Sequence, residues 1–227
     1  MDSVNSTQKQ NFINIGWFLV MLILVTIVQI PLAFLSRGAS WQRGLWAVVY
    51  AAGFLVAIAI GLWIYRRIVP GKWQRLTGQD WRLMVKGYVF MMVVEMSLNI
   101  VNMLAFKETS TKNNDLIATI LGKSPLSLIM LSLTAVLASP VLEELTFRGI
   151  LVSGCFSKER FWLPVVASGI VFSLVHQSDN PISWLIYAIM GGTFAYVYRK
   201  TGKLQTTIFM HGFNNLIAML LMVTAIH

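Results

Sequence analysis

The 227 residues are 56% hydrophobic and only 12% charged, with a mean hydropathy of +0.68. Soluble domains carry about 25% charged residues. Half that share, together with long apolar runs, excludes a soluble globular protein and specifies an all-α polytopic membrane protein, because lipid admits only helices or closed barrels. The net charge of +9 would suggest nucleic acid in a soluble protein. No basic stripe interleaved with aromatics supports that partner, and basic residues gathered in cytoplasmic loops account for the surplus. Cys155 is the single cysteine, so an internal disulfide and a cysteine-based metal cluster are both excluded; it reads as a buried small apolar residue.

After a short polar start, an apolar run from Ile13 to Leu35 is longer than the 7–15-residue core of a secretory signal and predicts a first span. The second is predicted from Leu45 to Tyr65. A basic loop follows, with Arg66, Arg67, Lys72, Arg75, Arg82 and Lys86 around the Pro70-Gly71 turn. The third span is predicted from Met84 to Phe106, followed by a polar loop from Lys107 to Asp115. From Pro125 to Cys155 the chain is apolar again. As one helix this is about 46 Å against a hydrocarbon core of about 30 Å, so it must tilt, project or kink at Pro140.

Further spans are predicted from Phe161 to His176, from Ile182 to Tyr198 and from Leu204 to Ile226. Seven crossings with the N-terminus inside place thirteen of the eighteen Lys and Arg on the inner side and five on the outer. That is the expected cytoplasmic bias. Residues 1–119, three helices and the basic loop, are read as an N-terminal unit, and 120–227 as the functional core. Gly191 and Ala195 form a small-xxx-small helix contact, a packing signal.

Within the fourth span stand Glu143, Glu144 and Arg148. Charges there are costly unless paired or facing water. At about 100° per residue, Glu144 and Arg148 lie about 40° apart in the favourable i,i+4 order, while Glu143 points about 140° from Arg148. Arg148 should therefore neutralise Glu144, a structural pair, and leave Glu143 as a candidate general base. His176 lies at the end of the next span. His211 and Asn215, four apart, share one face of the last. Each has a plainer reading: interhelical glue for the histidines and Asn215, a helix-end residue for His176, an inner-surface anchor for Arg148. What favours chemistry is their concentration within 73 residues of a charge-poor chain. Glu95, with Asn99 and Asn102, forms an i,i+4,i+7 stripe on the third span and is read as cavity lining. His227 is terminal and is set aside.

The segments Glu143-Glu144-Leu-Thr-Phe-Arg148, Phe172-Ser-Leu-Val-His176 and His211-Gly-Phe-Asn-Asn215 resemble the three motifs of the CPBP, or Abi, intramembrane protease family. That family includes the type II CAAX prenyl endopeptidases and bacterial proteins tied to bacteriocin processing and self-immunity. The resemblance covers residues 120–226. It implies a multi-pass protein of a plasma membrane, bacterial in the pheromone- and bacteriocin-processing branch. It also implies a membrane-associated peptide or protein as substrate. By resemblance Glu143 and His176 would activate a water, His211 and Asn215 would stabilise the oxyanion, and Glu144, Arg148 and Phe172 would support them. A divalent metal such as zinc, held by Glu143, His176 and His211, stays open, since zinc favours such ligands but no His-Glu-xx-His is present. Two other functions share these residues: a non-catalytic scaffold or immunity factor of the same fold, and a proton-coupled transporter using a carboxylate–histidine relay.

Overall fold

The computed structural model describes residues 2–71 and 73–226, with side chains for 10–71 and 73–225. Lys72 and His227 lie outside the described residues. Every regular element among them is helical. Helix α1 (Asp2–Ile27) gives way to a 3₁₀ turn (Ile30–Phe34) at Pro31, which cannot continue the hydrogen-bond ladder. Helix α2 (Ser40–Ile68) ends on Arg66 and Arg67, where cations favour the negative end of the helix dipole. Helix α3 (Gly78–Phe106) starts in a reciprocal cap: Thr77 Oγ1 accepts from the Asp80 N–H at 3.3 Å, and Asp80 Oδ2 accepts from the Thr77 N–H at 2.6 Å.

A short helix α4 (Lys112–Leu121) begins inside the segment predicted as a polar loop. Its first turn, Lys112 to Asp115, is polar, so the composition reads as loop; the apolar face appears only with Leu116, Ile117 and Ile120. Helix α5 (Pro125–Cys155), α6 (Trp162–Leu174), α7 (Pro181–Thr201) and α8 (Leu204–Ile226) complete the chain. Helices thus occupy all seven predicted spans. Five segments are long and apolar enough to cross a membrane: Gln10–Phe34, Ser40–Ile68, Gly78–Phe106, Pro125–Cys155 and Leu204–Ala225. The thirteen residues of α6 rise about 20 Å, short of the hydrocarbon thickness. Helix α7 is long enough but less apolar, and buries Ser183 and Thr193. Leu55, Leu104 and Leu221 are among the large apolar side chains left outward, the faces that lipid covers.

Helix α5 sits at the centre, packed by α1, α2, α6 and α8, while α7 lies between α3 and α6. It runs unbroken but widens twice into π-helix, at Thr134–Ala138 and at Leu145–Val152. The first widening is the form taken by the kink predicted at Pro140. Proline has no N–H to give and its ring crowds the carbonyl four residues earlier, here Val136. Neighbouring helices use the loosened turn. Asn215 Nδ2 of α8 donates to Ala135 O at 2.8 Å, and Tyr50 of α2 bonds Thr134 Oγ1 at 2.8 Å. A Cβ on Gly212 would lie 3.0 Å from Val136 O, so a glycine beside His211 lets α8 reach this turn.

Helices α6 and α7 approach more closely still. A Cβ on Gly169 would fall 2.5 Å from Ala188 O, and one on Gly191 would fall 2.7 Å from the Phe172 Cβ. The Gly191–Ala195 signal is therefore a real helix contact, with Phe172 as the partner of Gly191. Because the obstacle at Gly169 is backbone, it cannot swing aside. Gly169→Ala is expected to destabilise the protein by about 1–3 kcal/mol, the usual cost of overpacking. A thermal unfolding curve in detergent matching the wild type would contradict this reading of the α6–α7 seam.

Candidate active site

Four helices converge on one buried polar cluster. Arg148 of α5 is fully buried, and its Nη1 donates to Glu144 Oε1 at 2.7 Å. This is the predicted i,i+4 pair, and it survives the π-helical turn between the two residues. Arg148 Nη2 donates to Gly191 O at 2.8 Å, a carbonyl of α7. The guanidinium faces the rings of Phe172 at 4.8 Å and Phe194 at 5.2 Å, a cation–π setting strengthened by exclusion of water. An inner-surface anchor is ruled out. Arg148 ties α5 to α7 through a desolvated charge that Glu144 compensates.

Glu144 has a second task that the sequence reading assigned to no residue. Its Oε1 also accepts from His211 Nδ1 at 2.9 Å. An ionised carboxylate can only accept, so the His211 proton belongs on Nδ1. The opposite nitrogen, Nε2, then points at Glu143, 3.8 Å from its Oε2. The ring itself is clamped, stacked on Phe194 at 5.1 Å and edge-on to Phe172 at 5.8 Å.

Glu143 is held by one oxygen and free at the other. Ser139, one helical turn earlier, donates from Oγ to Glu143 Oε1 at 2.7 Å. Oε2 is buried without a hydrogen-bond partner among the described residues. A buried acceptor of this kind is costly unless it has a use. Its 3.8 Å separation from His211 Nε2 is too long for a direct bond. It is a distance that one water with two bonds of about 2.8 Å can bridge.

His176 lies just past the end of α6, in the helix-end position noted as its plainer reading. Its Nδ1 bonds Phe172 O at 2.7 Å, and since a carbonyl only accepts, that nitrogen too carries the proton. Its ring is sandwiched between Phe172 at 4.4 Å and Tyr187 at 4.5 Å. Nε2 makes no hydrogen bond among the described residues, and the charges within electrostatic reach of the ring are Glu143, His211 and Arg148. Phe172 touches both imidazoles and the guanidinium, so its place in the second motif has a physical reason: it is the wall on which the site is laid.

Asn215 is brought to the same helices, but one of its two amide N–H groups is committed to Ala135 O; the other stays available. Glu95 of α3 is partly buried and lies within electrostatic reach of Tyr187 and Tyr88. The stripe expected with it divides: Asn99 faces outward, whereas Asn102 is fully buried and donates weakly to Glu108 O at 3.5 Å. Among the described residues no three His, Cys, Asp or Glu side chains converge as metal ligands. No step below runs through a metal.

The segment that builds this cluster, residues 125–217, matches the family model described as type II CAAX prenyl endopeptidase Rce1-like. Over that stretch the chain is similar to the type II CAAX prenyl endopeptidases, the family its three motifs resemble. The matched stretch runs from the start of α5 into α8 and contains every residue of the three motifs. A relative in Bacillus subtilis (strain 168), named "Putative membrane peptidase YdiL", is 25% identical over 216 residues, covering 86% of this chain and 84% of that one. No solved structure matches the chain. It is thus an integral, multi-pass membrane protein that resembles membrane peptidases.

Four contributors to the site were not singled out by sequence reasoning: Ser139, Tyr187, Phe194 and the Gly191 carbonyl. Ser139 had a legible signal, standing four residues before Glu143 on the same helical face. The other three lie on α7, which carries no family motif, and only its packing against α6 and α8 brings them in.

Proposed function

We propose that the chain is an intramembrane endopeptidase that hydrolyses a peptide bond in a membrane-associated peptide or protein, with Glu143 as general base. The observation that carries this is the buried, unpartnered Oε2 of Glu143 facing His211 Nε2, with His211 itself fixed by Glu144. Glu143 Oε2 and His176 Nε2 are both acceptors and hold the two hydrogens of the attacking water. As the water oxygen bonds the substrate carbonyl carbon, its proton passes to Glu143 Oε2. The carbonyl oxygen becomes an oxyanion. It takes a hydrogen bond from His211 Nε2, which in this scheme carries a second proton besides the one on Nδ1, each ring nitrogen facing a carboxylate, and another from the uncommitted N–H of Asn215. Glu143 then returns its proton to the leaving nitrogen, the C–N bond breaks, and the second hydrogen of the water passes from the new carboxyl group to His176 Nε2, leaving a carboxylate and an amine.

Donors aimed at the developing charge are the largest catalytic contribution in comparable chemistry, about 2.7–4 kcal/mol for one of them. The bilayer supplies the water-poor surroundings in which they act. The basic segments Arg66 to Lys86 and Arg199 to Lys203 face the cytoplasm in this reading, in a bacterial plasma membrane. A short membrane peptide, such as a pheromone or bacteriocin precursor, is the substrate class that suits it.

The test is mass spectrometry of membrane peptides from cells carrying the wild type or Glu143→Ala. Cleavage products present with the first and missing with the second support hydrolysis; identical peptide profiles remove it and leave a scaffold role. A strong divalent-metal chelator is expected to leave purified activity within about twofold of the untreated enzyme. Loss on chelation, restored by zinc, would replace the metal-free scheme.

A further inference from the structure

We infer that Tyr187 and Thr111 are positioning residues for His176: the phenol holds the imidazole in its working direction, and Thr111, at the end of the connection between α3 and α4, holds the phenol. The inference rests on the endopeptidase reading above. It extends the site to Thr111, a residue outside the three motifs and outside the matched segment 125–217.

His176 needs support from outside its own helix. It stands beyond the last turn of α6, with its backbone N–H on Ser173 O at 3.1 Å, so no continuing helix fixes it. Among the described residues its one side-chain bond runs from Nδ1 to Phe172 O at 2.7 Å. A single bond fixes one atom and not the plane of a ring. The two faces remove that freedom. Phe172 covers one at 4.4 Å, tilted by 34°, and Tyr187 covers the other at 4.5 Å and 16°, a stacked pair. Phe172 belongs to α6 and moves with His176. Tyr187 is the face that refers the imidazole to another helix.

The phenol is in turn anchored at its tip. Its hydroxyl lies 2.8 Å from Thr111 Oγ1 and 3.4 Å from Asn114 Oδ1. Thr111 Oγ1 also caps α4 by accepting the Asn114 N–H at 3.3 Å. The assignment that uses each proton once has Thr111 donating to the phenol oxygen and the phenol donating to Asn114 Oδ1. Thr111 and Tyr187 are both buried, so neither water nor lipid competes for these bonds. The connection is pinned at a second point. Asn180 Nδ2 donates to Glu108 Oε2, while Asn180 Oδ1 caps α7 by accepting the Ser183 N–H at 2.8 Å. The segment from Glu108 to Thr111 therefore grips α7 at its start and again at Tyr187, about two turns on. In the scheme above His176 Nε2 holds one hydrogen of the attacking water, and a misplacement of about 1 Å at such a group can cost about a hundredfold in rate.

The experiment uses the purified full chain in proteoliposomes with a pool of single-span synthetic peptides, and the peptide cleaved fastest is carried into kinetics. Tyr187→Phe keeps the ring and removes its anchor; Thr111→Val removes the same bond from the other side. Each is expected to lower kcat about tenfold with KM within about twofold of the wild type. Tyr187→Leu, which takes away the ring face as well, should lower kcat about a hundredfold. The double variant Thr111→Val with Tyr187→Phe should fall about tenfold, and not the roughly hundredfold that two independent losses would multiply to. Thr111→Ser keeps the hydroxyl and should recover most of the rate. Tyr187→Phe leaves the α4 cap intact, so its agreement with Thr111→Val separates the bond to the phenol from the cap. It also changes the volume by one oxygen alone and carries the test if another variant fails to fold. A kcat within about twofold of the wild type in Tyr187→Phe, losses that multiply in the double variant, or a loss confined to KM each overturn the inference and leave the endopeptidase standing. No cleavage of any peptide by the wild type, with Glu143→Ala giving the same profile, removes the endopeptidase and this inference together.

Discussion

Glu143→Gln is expected to lower kcat/KM for peptide hydrolysis by about 10²–10⁴-fold, the usual worth of a positioned general base. The amide keeps the volume of the side chain and can keep the bond from Ser139 Oγ, which now reaches Glu143 Oε1 at 2.7 Å. What it cannot do is accept the proton of the attacking water. Membrane insertion, yield and thermal unfolding in detergent should stay close to wild type, because Oε2 makes no hydrogen bond that folding depends on. The combination matters. Activity lost together with stability would mean that Glu143 holds the bundle, and activity retained within about threefold would mean that the base is another group. A single-turnover assay on a peptide cleaved by the wild type separates the chemical step from binding.

Arg148→Ala should act in the opposite sense, on the fold first. The guanidinium is fully buried and bonds both Glu144 and Gly191 O. Removing it leaves an uncompensated carboxylate and an orphaned carbonyl. Breaking a buried ion pair from one side costs about 3–5 kcal/mol, enough to deplete most of a marginal stability. The double substitution Glu144→Gln with Arg148→Met removes both charges and refills the volume, so unfolding temperature should recover most of the loss. Hydrolysis should stay low even so, since His211 would then have only a neutral amide at Nδ1. Recovery of stability without recovery of rate identifies Glu144 as the residue that positions His211. Recovery of both would reduce the pair to a packing device, and an Arg148→Ala protein as stable as wild type would remove the buried-pair account.

How much of this was legible in the chain depends on the kind of signal. The i,i+4 spacing of Glu144 and Arg148 is local geometry, so their pairing could be read directly, as could the isolation of Glu143 on another face. That Glu144 also fixes His211 could not be read. The two are 67 positions apart, and no periodicity relates residues on different helices. The same limit hid the α7 residues Tyr187, Gly191 and Phe194. It also left the sharing of the three positions Glu95, Asn99 and Asn102 undecided, because helical spacing says which residues share a face and not what that face meets. At Pro140 the sequence foretold a disturbance but not its shape. Whether a proline bends a helix or widens it depends on partners for the loosened carbonyls, and here Asn215 and Tyr50 supply the side chains that meet the widened turn.

The sequence by itself determined that this is a helical membrane protein with a few charges it can ill spare, because hydropathy and helical spacing act within one segment. Only the tertiary structure decided which nitrogen of each histidine carries its proton and which oxygen of Glu143 is left to react. Those depend on acceptors brought from other helices, and in a medium without water to stand in for them, each such acceptor settles the chemistry of the group it faces.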